Sequence, residues 1–373
     1  MDLRRMVAPA LAVALLTAVG AGVLWSNRSV KDDARQRQDQ QAEQSKQAHV
    51  RGVIGSEKEA FFADDRVKKA LLVHGLTVTV QKAGSRTIVD HFNPTFDFGF
   101  PSGAPAAQHL KARAKATQVF SPFYTPMVIA SWRPIAEILV ANGIAQKQGD
   151  VYYLVDMPKL IEVISQGKRW RELKNSAGFS TSKAVLVSST DVRTSNSAAM
   201  YLALASYVAN GEQVVQSAED VAKVIPVVAP LFLRQGLQEQ SSSGPFEDYL
   251  ALGMGKAPML ISYESQLVEY FLRHPDKVKG DMVLMYPKPT VFSKHVVVPY
   301  TPNGARLGAV LESDPALREL AHEFGFRTGG EKKGPEVWAT RGVKVPDVLV
   351  DAIEPPSHEW LERLIGEIEQ RFK

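Results

Sequence analysis

Small hydroxyl residues next to glycine or asparagine recur in this sequence at turns that follow short apolar segments. In an α/β protein such turns lie where a strand ends and a helix begins, and the free N–H groups there bind anions and hydrogen-bond acceptors. Serine, threonine and asparagine also cap helices without binding anything, so a set of such turns is stronger evidence than one. The turns are Gly55-Ser56, Gly84-Ser85, Ser102-Gly103, and Thr190 together with Ser195-Asn196-Ser197.

Charged and aromatic residues beside the same turns complete the set of candidate ligand-binding residues. Two of them are glutamates, Glu57 and Glu264. A buried carboxylate repels an anionic ligand unless it is paired, so Lys58 and Arg86 are the expected partners of these glutamates. The alternative is that both glutamates face solvent as acids in the first turn of a helix, where the helix dipole favours them. The charge of the ligand therefore stays open. These additional candidates are Glu57, Lys58, Arg86, Asp191, Tyr263 and Glu264.

Motifs of the common enzyme, metal and nucleic-acid classes do not occur. There is no cysteine, and none of the eight histidines has another histidine three or four residues away, so no helical metal pair is expected. Gly255-Lys256 has Leu250 where a phosphate-binding loop needs glycine, and a Gly-x-Ser-x-Gly elbow is absent. The net charge is only +4, without a run of lysine and arginine, which argues against a nucleic-acid partner. We expect a binding protein with no catalytic residue, metal or cofactor.

Short apolar segments alternate with amphipathic segments along the body of the chain. Segments such as "MVIAS" and "AVLVS" are typical of strands buried on both faces, and the stretches between them have helical periodicity. This alternation predicts an α/β fold with a parallel or mixed sheet between helices. A length of 373 residues suits two lobes better than one core.

The first 49 residues differ from the rest of the chain, because they consist mainly of an uncharged apolar segment followed by a polar one. Residues 6–25 carry no charge and, at about 1.5 Å per residue, make a helix of roughly 30 Å, long enough to cross a bilayer. Arg4 and Arg5 precede this segment and predict a cytoplasmic N-terminus and an extracytoplasmic body at the cell membrane. Cleavage as a signal peptide after Val19-Gly20-Ala21, which would release a secreted protein, is the alternative. Residues 26–49 are polar and glutamine-rich, which is typical of a stalk or linker.

Several segments, in the right serial order, resemble the type II periplasmic solute-binding proteins of ABC transporters. In residues 185–211, "VLVSSTDVRTSNSAAMYLALASYVANG", a strand ends in Thr-Asp and a Ser-Asn-Ser turn opens a helix, as in that family. Residues 52–86 resemble its first βαβ unit. Residues 258–270 and 286–314 resemble its closing portion, and the molybdate, sulfate and phosphate binders are the most similar group within the family.

The resemblance implies a clamshell of two α/β lobes joined by crossovers near residues 124–131 and 295–300. Lobe one would comprise residues 50–125 and 300–373, and lobe two residues 130–295. The ligand, a small molecule or ion, would lie in the cleft between Ser56, Ser85 and Ser102 of lobe one and a second set of residues from lobe two. That second set is Thr190, Ser195, Asn196, Ser197 and Tyr263.

The implied function is capture of a solute outside the cytoplasm for an ABC-type transporter. A membrane permease, or another membrane protein, is the expected partner. The apparent membrane anchor and stalk keep a second hypothesis open, a membrane-anchored sensor or accessory subunit with no transport role of its own.

Overall fold

The computed structural model describes residues 47–148, 152–236, 238–277, 280–330, 333–349 and 351–372. The predicted membrane span at residues 6–25 and most of the predicted stalk lie outside these residues. Among the helices that are described, none is both long enough and apolar enough to cross a membrane. The first strand begins at Ala48, two residues before the predicted start of the body at Val50.

The described residues form ten strands. They are β1 (Ala48–Gly55), β2 (Leu76–Ala83), β3 (Phe98–Phe100), β4 (Phe120–Trp132), β5 (Ala145–Gln148), β6 (Tyr152–Asp156), β7 (Met259–Tyr263), β8 (Met282–Lys288), β9 (Thr290–Pro299) and β10 (Ala352–Ile353).

Thirteen α-helices accompany these strands in the described part of the chain. They are α1 (Glu59–Ala63), α2 (Asp65–Val73), α3 (Ala104–Ala114), α4 (Arg133–Ala141), α5 (Met157–Ser165), α6 (Asn196–Ala209), α7 (Ala218–Leu233), α8 (Ser243–Leu252), α9 (Glu264–Arg273), α10 (Pro302–Ser313), α11 (Pro315–Glu323), α12 (Gly334–Thr340) and α13 (His358–Glu369).

Two long strands are common to both lobes. The strand order is β2-β1-β3-β9-β4-β8-β6-β5, with β7 on β4 and β10 on β9. Strand β9 pairs with β3 at one end and with β4 along residues 292–297, whereas the second half of β4 pairs with β7 and β8. The predicted crossovers at 124–131 and 295–300 fall on these two strands. The predicted two-lobed α/β architecture is confirmed, and the sheet is mixed, since β1 runs parallel to β2 and β3 while β4 is antiparallel to its partners.

An aromatic core holds lobe one together. The ring of Phe61 packs edge to face against Phe123 and Phe324 at centroid distances of 5.1 and 5.6 Å, and Phe326 stacks on Phe123 at 5.1 Å. Such pairs stabilise a core beyond the area that they bury, by about 0.5–1.5 kcal/mol each. Because Phe61 lies on α1, this packing fixes the short turn between β1 and α1.

Lobe two is built around α6, whose first eleven residues, 196–206, are all buried. Its alanines let neighbouring elements approach from every side, so the helix shows no single apolar face. The segment "AVLVS" at residues 184–188 was predicted as a regular strand, and this prediction is wrong. It makes only isolated bridges, one of them between Ser188 and Leu260 of β7. Val185 and Val187 are buried, but Ala184, Leu186 and Ser188 are only half-buried, and between its two bridges the segment forms no ladder with a neighbouring strand.

The C-terminal part of the chain does not stay with lobe one. Residues 300–373 were expected there, but α13 buries Leu361, Leu364, Ile365 and Ile368 in the core of lobe two. The first half of the range does belong to lobe one, since Leu307 and Leu311 of α10 pack in its aromatic core.

Candidate functional site

Three predicted turns of lobe one meet at one edge of the sheet because β1, β2 and β3 are parallel and end together. Residues 56–58 form a single 3-10 turn after β1, and Ser85 and Ser102 follow β2 and β3. The hydroxyl of Ser85 donates to that of Ser102 at 3.0 Å, and the Ser102 backbone N–H donates to Ser85 Oγ at 3.0 Å. Ser56 is half-buried at the start of the turn.

Asn196, at the start of α6, connects lobe two to this edge. Its Nδ2 donates to the carbonyl oxygen of Ser102 at 2.7 Å and lies 3.1 Å from the Tyr263 hydroxyl and 3.3 Å from Ser293 Oγ. Ser293, on β9, also donates to the Ser102 carbonyl. Asn196, Ser102 and Ser293 are buried, so these bonds join the lobes away from water.

A buried ion pair lies at the centre of the site. Lys58 is fully buried, and its ammonium contacts the Glu57 carboxylate, donates to Ser102 Oγ at 2.8 Å and lies 3.1 Å from Nδ1 of His295. Glu57 also accepts from the Ser102 hydroxyl. We call the buried set the interlobe cluster; its members are Glu57, Lys58, Ser85, Ser102, Asn196, Tyr263, Ser293 and His295.

Burial and mutual attraction set the charges in the interlobe cluster. Burial alone would raise the pKa of Glu57, but the Lys58 ammonium holds that pKa well below its usual range. Burial lowers the pKa of Lys58, and the Glu57 carboxylate opposes this effect. Burial, together with the charge on Lys58, lowers the pKa of His295 to about 4. At neutral pH the cluster therefore holds an ionised Glu57–Lys58 pair and a neutral imidazole.

The hydrogen-bond pattern assigns the tautomer of His295. An ammonium group can only donate, so Nδ1, 3.1 Å from Lys58 Nζ, is the acceptor and the ring proton sits on Nε2. The Glu57 oxygen is farther from Nδ1, at 3.4 Å. Within the described residues Nε2 has no hydrogen-bond partner, although His295 is fully buried. The interlobe cluster thus contains one N–H donor that the protein itself does not satisfy.

The hydroxyl residues of lobe two form a separate chain behind Asn196. Thr190 Oγ1 lies 2.9 Å from Ser197 Oγ, which is 3.1 Å from Ser195 Oγ, and all three residues are buried. Ser195 is the N-cap residue of α6, but its side chain does not cap the helix. These hydroxyls satisfy one another and can exchange partners when a ligand enters.

Glu264 lies outside the interlobe cluster, and both sequence interpretations of it are wrong. It neither pairs with Lys58 or Arg86 nor faces solvent, because it is fully buried against Arg327. The two nitrogens of Arg327 donate to the two carboxylate oxygens at 2.7 and 2.8 Å, and the Tyr286 hydroxyl donates at 2.6 Å. This bidentate pair is structural, since Arg327 also donates to the backbone at Pro346 and Asp347.

Arg86 and Asp191 lie at the rim of the cleft. Arg86 donates to the carbonyl oxygen of Arg193 at 3.1 Å and to Glu362 of α13 at 2.7 Å. Asp191 is held by Arg193, whose guanidinium contacts both carboxylate oxygens. The structure therefore places Arg86 in a contact between the lobes and Asp191 in an ion pair within lobe two, and neither lies beside Lys58.

A pocket in lobe two lies apart from the interlobe cluster. It has a volume of about 420 Å³ and is bordered by Trp170, Arg234, Gln235 and Lys256, among others. None of the predicted site residues lines it. Its charges are mixed, with Asp248 and Glu239 beside the cations, and it lies away from the meeting point of the lobes.

No protein-family model matches the chain, and no curated protein matches it. Solved structures do match. Iron-bound HitA from Pseudomonas aeruginosa is 11% identical, with a TM-score of 0.55 over 86% of this chain and 99% of HitA. An ABC transporter solute-binding protein from Thermotoga lettingae, bound with α-D-tagatose, is 12% identical, with a TM-score of 0.53 over 87% of this chain and 94% of that one. The chain has the periplasmic binding-protein fold.

This fold was predicted from the serial order of short motifs, and the prediction is confirmed. The narrower prediction, similarity to the molybdate, sulfate and phosphate binders, is not decided, because one matching protein is iron-bound and another carries a sugar. The interlobe cluster lies where residues of the two lobes meet, and its polar groups form hydrogen bonds with one another.

Sequence reasoning missed Ser293, His295 and Arg327. His295 was used only to mark the return crossover, although a histidine within the apolar stretch of β9 is itself a signal of a special environment. Ser293 alternates with His295 on the same face of β9, which the period of a strand predicts once the strand is recognised.

Proposed function

We propose that this protein is an extracytoplasmic solute-binding protein that captures a small polar ligand between its lobes and presents it to an ABC-type transporter. The observation that carries this proposal is the interlobe cluster. Polar side chains from both lobes converge there, are almost fully buried, and are joined by the bond from Asn196 to Ser102. Buried polar groups that converge at a lobe interface are typical of a ligand site.

The proposed ligand-binding residues are those that could exchange a protein partner for a ligand atom. Hinge closure about β4 and β9 would bring the two halves together, and a ligand would favour closure only through contacts better than those of the open form. The proposed residues are Glu57, Lys58, Ser85, Ser102, Asn196, Tyr263, Ser293 and His295, with Thr190, Ser195 and Ser197 behind them.

A ligand screen of the 373-residue chain in mild detergent tests the proposal. The panel contains oxyanions, divalent metals, amino acids, short peptides and sugars, and the readout is the melting temperature. A ligand at 100 times its Kd should add about 2.7 kcal/mol to the free energy of unfolding. For a protein of this size that corresponds to a rise of a few degrees. No response to any member of the panel would contradict solute capture.

Two variants locate the site once a ligand is found. Asn196→Ala removes the bond between the lobes and should weaken ligand binding at least tenfold by titration calorimetry. Ser313→Ala is the matched control, because Ser313 is exposed at the end of α10 and bonds only its own helix at Ala309. Equal affinities of the two variants would place the ligand elsewhere.

The predicted membrane span and stalk favour a second candidate function, an anchored sensor or accessory subunit. Such a protein would report its ligand state to a partner in the membrane without passing the ligand on. Ligand-dependent co-purification separates the two: a permease supports transport, and a partner with no transport activity supports the accessory role.

A further inference from the structure

The Glu57 carboxylate sits where an anionic ligand would be expected. It contacts the Lys58 ammonium, accepts from the Ser102 hydroxyl, and lies 3.4 Å from the His295 ring. Its side chain is only 4% exposed. The charged and titratable groups that face it are Lys58, His295 and the phenol of Tyr263, whose pKa burial raises far above its usual value, so Tyr263 stays neutral. Glu57 is thus a buried anion held by two donors, Lys58 and Ser102.

Gly55 leaves space for this carboxylate. A Cβ at Gly55 would lie 2.5 Å from Glu57 Oε1 and 2.5 Å from Ser102 Oγ. The backbone of Gly55 has a φ of −63°, which any residue adopts, so the glycine is explained by space and not by conformation. Because residue 55 has no side chain, the backbone and the Ser102 hydroxyl can lie close to the carboxylate oxygens of Glu57, and an oxyanion in the same place would need the same space.

Removal of Glu57 would leave a set of donors without an anion. Lys58 and Ser102, which both contact the Glu57 carboxylate, would lose their acceptor. Burial would then lower the pKa of Lys58 without the opposing charge of Glu57, and a bound anion would restore that compensation. A cationic ligand would instead have to expel Lys58, which is fully buried and has three polar partners. An anion that entered beside Glu57 would place two negative charges together in a buried site, which is strongly unfavourable.

We propose that Glu57 is an internal occupant of an oxyanion subsite, and that a carboxylate, sulfate or phosphate group of the ligand displaces it from beside Lys58 and Ser102. This inference rests on the proposed function and names the ligand chemistry. A carboxylate group of the ligand keeps the charge of the interlobe cluster unchanged, whereas a sulfate dianion adds one negative charge beside Lys58. It also lowers the apparent affinity, because the subsite is free only in the fraction of molecules whose Glu57 has moved out.

The test compares wild type with Glu57→Ala and Glu57→Gln, using sodium acetate and sodium sulfate as probes and sodium chloride to keep ionic strength constant. Acetate restores the carboxylate that Glu57→Ala lacks. We expect acetate or sulfate to raise the melting temperature of Glu57→Ala by several degrees more than that of wild type. Titration calorimetry should give a Kd at least tenfold lower for Glu57→Ala than for wild type.

The matched control is Glu59→Ala, two residues along, which removes an exposed acid paired with Lys82 at 2.9 Å. It should bind acetate and sulfate as wild type does. If Glu57→Ala does not fold in chloride, Glu57→Gln carries the same comparison, because its amide keeps the shape of the side chain but not the negative charge.

The outcomes separate the two proposals. If neither Glu57 variant binds acetate or sulfate more tightly than wild type, the internal-occupant proposal is overturned. Solute capture would still stand if wild type bound another member of the ligand panel. If wild type and both variants bind nothing in the panel and neither anion, both proposals fail.

Discussion

At the scale of single residues, Lys58 is the group on which the interlobe cluster depends most. Its ammonium is withdrawn from water and compensated by Glu57, Ser102 and His295. A buried ion pair is not strongly stabilising in itself, because desolvation opposes the attraction between the charges. Loss of one partner is nevertheless costly, since the remaining charge stays buried without compensation.

Lys58→Met should therefore lower the free energy of unfolding by about 3–5 kcal/mol, because it leaves the Glu57 carboxylate buried without a compensating positive charge. Urea denaturation measures the change. Lys82→Met is the control: it breaks an exposed pair with Glu59 and should change stability by less than about 1 kcal/mol. Lys58→Met combined with Glu57→Gln should recover part of the loss. Similar effects of the two lysine substitutions would contradict the buried pair.

His295 predicts a loss of stability in mild acid. Its pKa is about 4 in the folded protein against an ordinary value of 6.5, so the unfolded chain binds the proton more readily. The free energy of unfolding therefore falls as the pH falls from 6.5 towards 4, by about 3 kcal/mol from this residue. The depressed pKa of Glu57 acts in the same direction at lower pH still, where its stabilising negative charge is lost.

Urea denaturation between pH 7 and pH 4 measures this dependence in wild type and in His295→Gln. The glutamine does not titrate, so its stability should fall less steeply over the same interval. Carboxylates away from the interlobe cluster contribute equally to both proteins and cancel in the difference. Parallel curves for the two proteins would show that His295 is not the group responsible.

Glu57 and Glu264 show what the sequence can and cannot predict about single residues. Both are acids at a helix start directly after a buried strand, and the sequence gives no reason to treat them differently. Their environments differ in the structure because Arg327, sixty-three residues beyond Glu264 in the chain, forms an ion pair with Glu264 and not with Glu57. Turn chemistry predicted that Ser85, Ser102 and Asn196 would converge, whereas partners from distant segments depend on tertiary packing.

At the scale of elements, two helix starts meet face to face across the cleft. Gly103 precedes α3 in lobe one, and a Cβ there would lie 1.9 Å from Oδ1 of Asn196 at the start of α6. The backbone at Gly103 is extended, with a φ of −153°, so alanine fits the conformation but not the space. Closure of the lobes thus requires the absence of a side chain at this position.

Gly103→Ala should hold the lobes apart and weaken ligand binding at least tenfold, with little loss of stability within either lobe. Because the chain has no cysteine, labels at Lys69→Cys and Lys159→Cys, both exposed, report the distance between the lobes by pulsed electron resonance. The distance should increase in Gly103→Ala. Gly366→Ala is the control, since a Cβ there meets nothing within 4 Å. An unchanged distance in Gly103→Ala would contradict this account of closure.

Element boundaries were predicted best where caps and periodicity agree. The helix predicted for residues 264–273 is α9 (Glu264–Arg273), and the stop at Asn210-Gly211 coincides with a glycine at a φ of 72°. Residues 184–188 failed because an apolar run indicates burial but not regular pairing. Only Ser188 of this segment bridges β7, at Leu260, although among the described residues the outer edge of β7 has no other strand beside it.

At the scale of the whole molecule, α13 lies across both lobes. Its apolar face is buried on α6 and α7 of lobe two, while His358 at its start stacks on His109 of α3 in lobe one at 4.2 Å. Serial order predicted the two-lobed fold. It did not predict the position of α13, because that depends on which exposed apolar surface the end of the chain meets.

The contact between Arg86 of lobe one and Glu362 of α13, at 2.7 Å, gives this helix a part in closure. Glu362→Gln should widen the distance between the labelled lobes and weaken ligand binding two- to fivefold. The effect is small because the Glu362 side chain is 39% exposed, and pairs of this kind contribute about 0.2–1 kcal/mol.

The dependence on salt concentration tests whether the Arg86–Glu362 ion pair favours the closed form. In wild type, raising sodium chloride to about 1 M shortens the screening length to roughly 3 Å, so the closed form should lose the same small advantage. Glu362→Gln should respond much less to salt, because it has already lost the charge. Glu367→Gln is the control on the same helix, since Glu367 pairs only with Arg371, one turn further along. If Glu367→Gln opens the lobes as much as Glu362→Gln does, the general charge of α13, and not its contact with Arg86, favours the closed form.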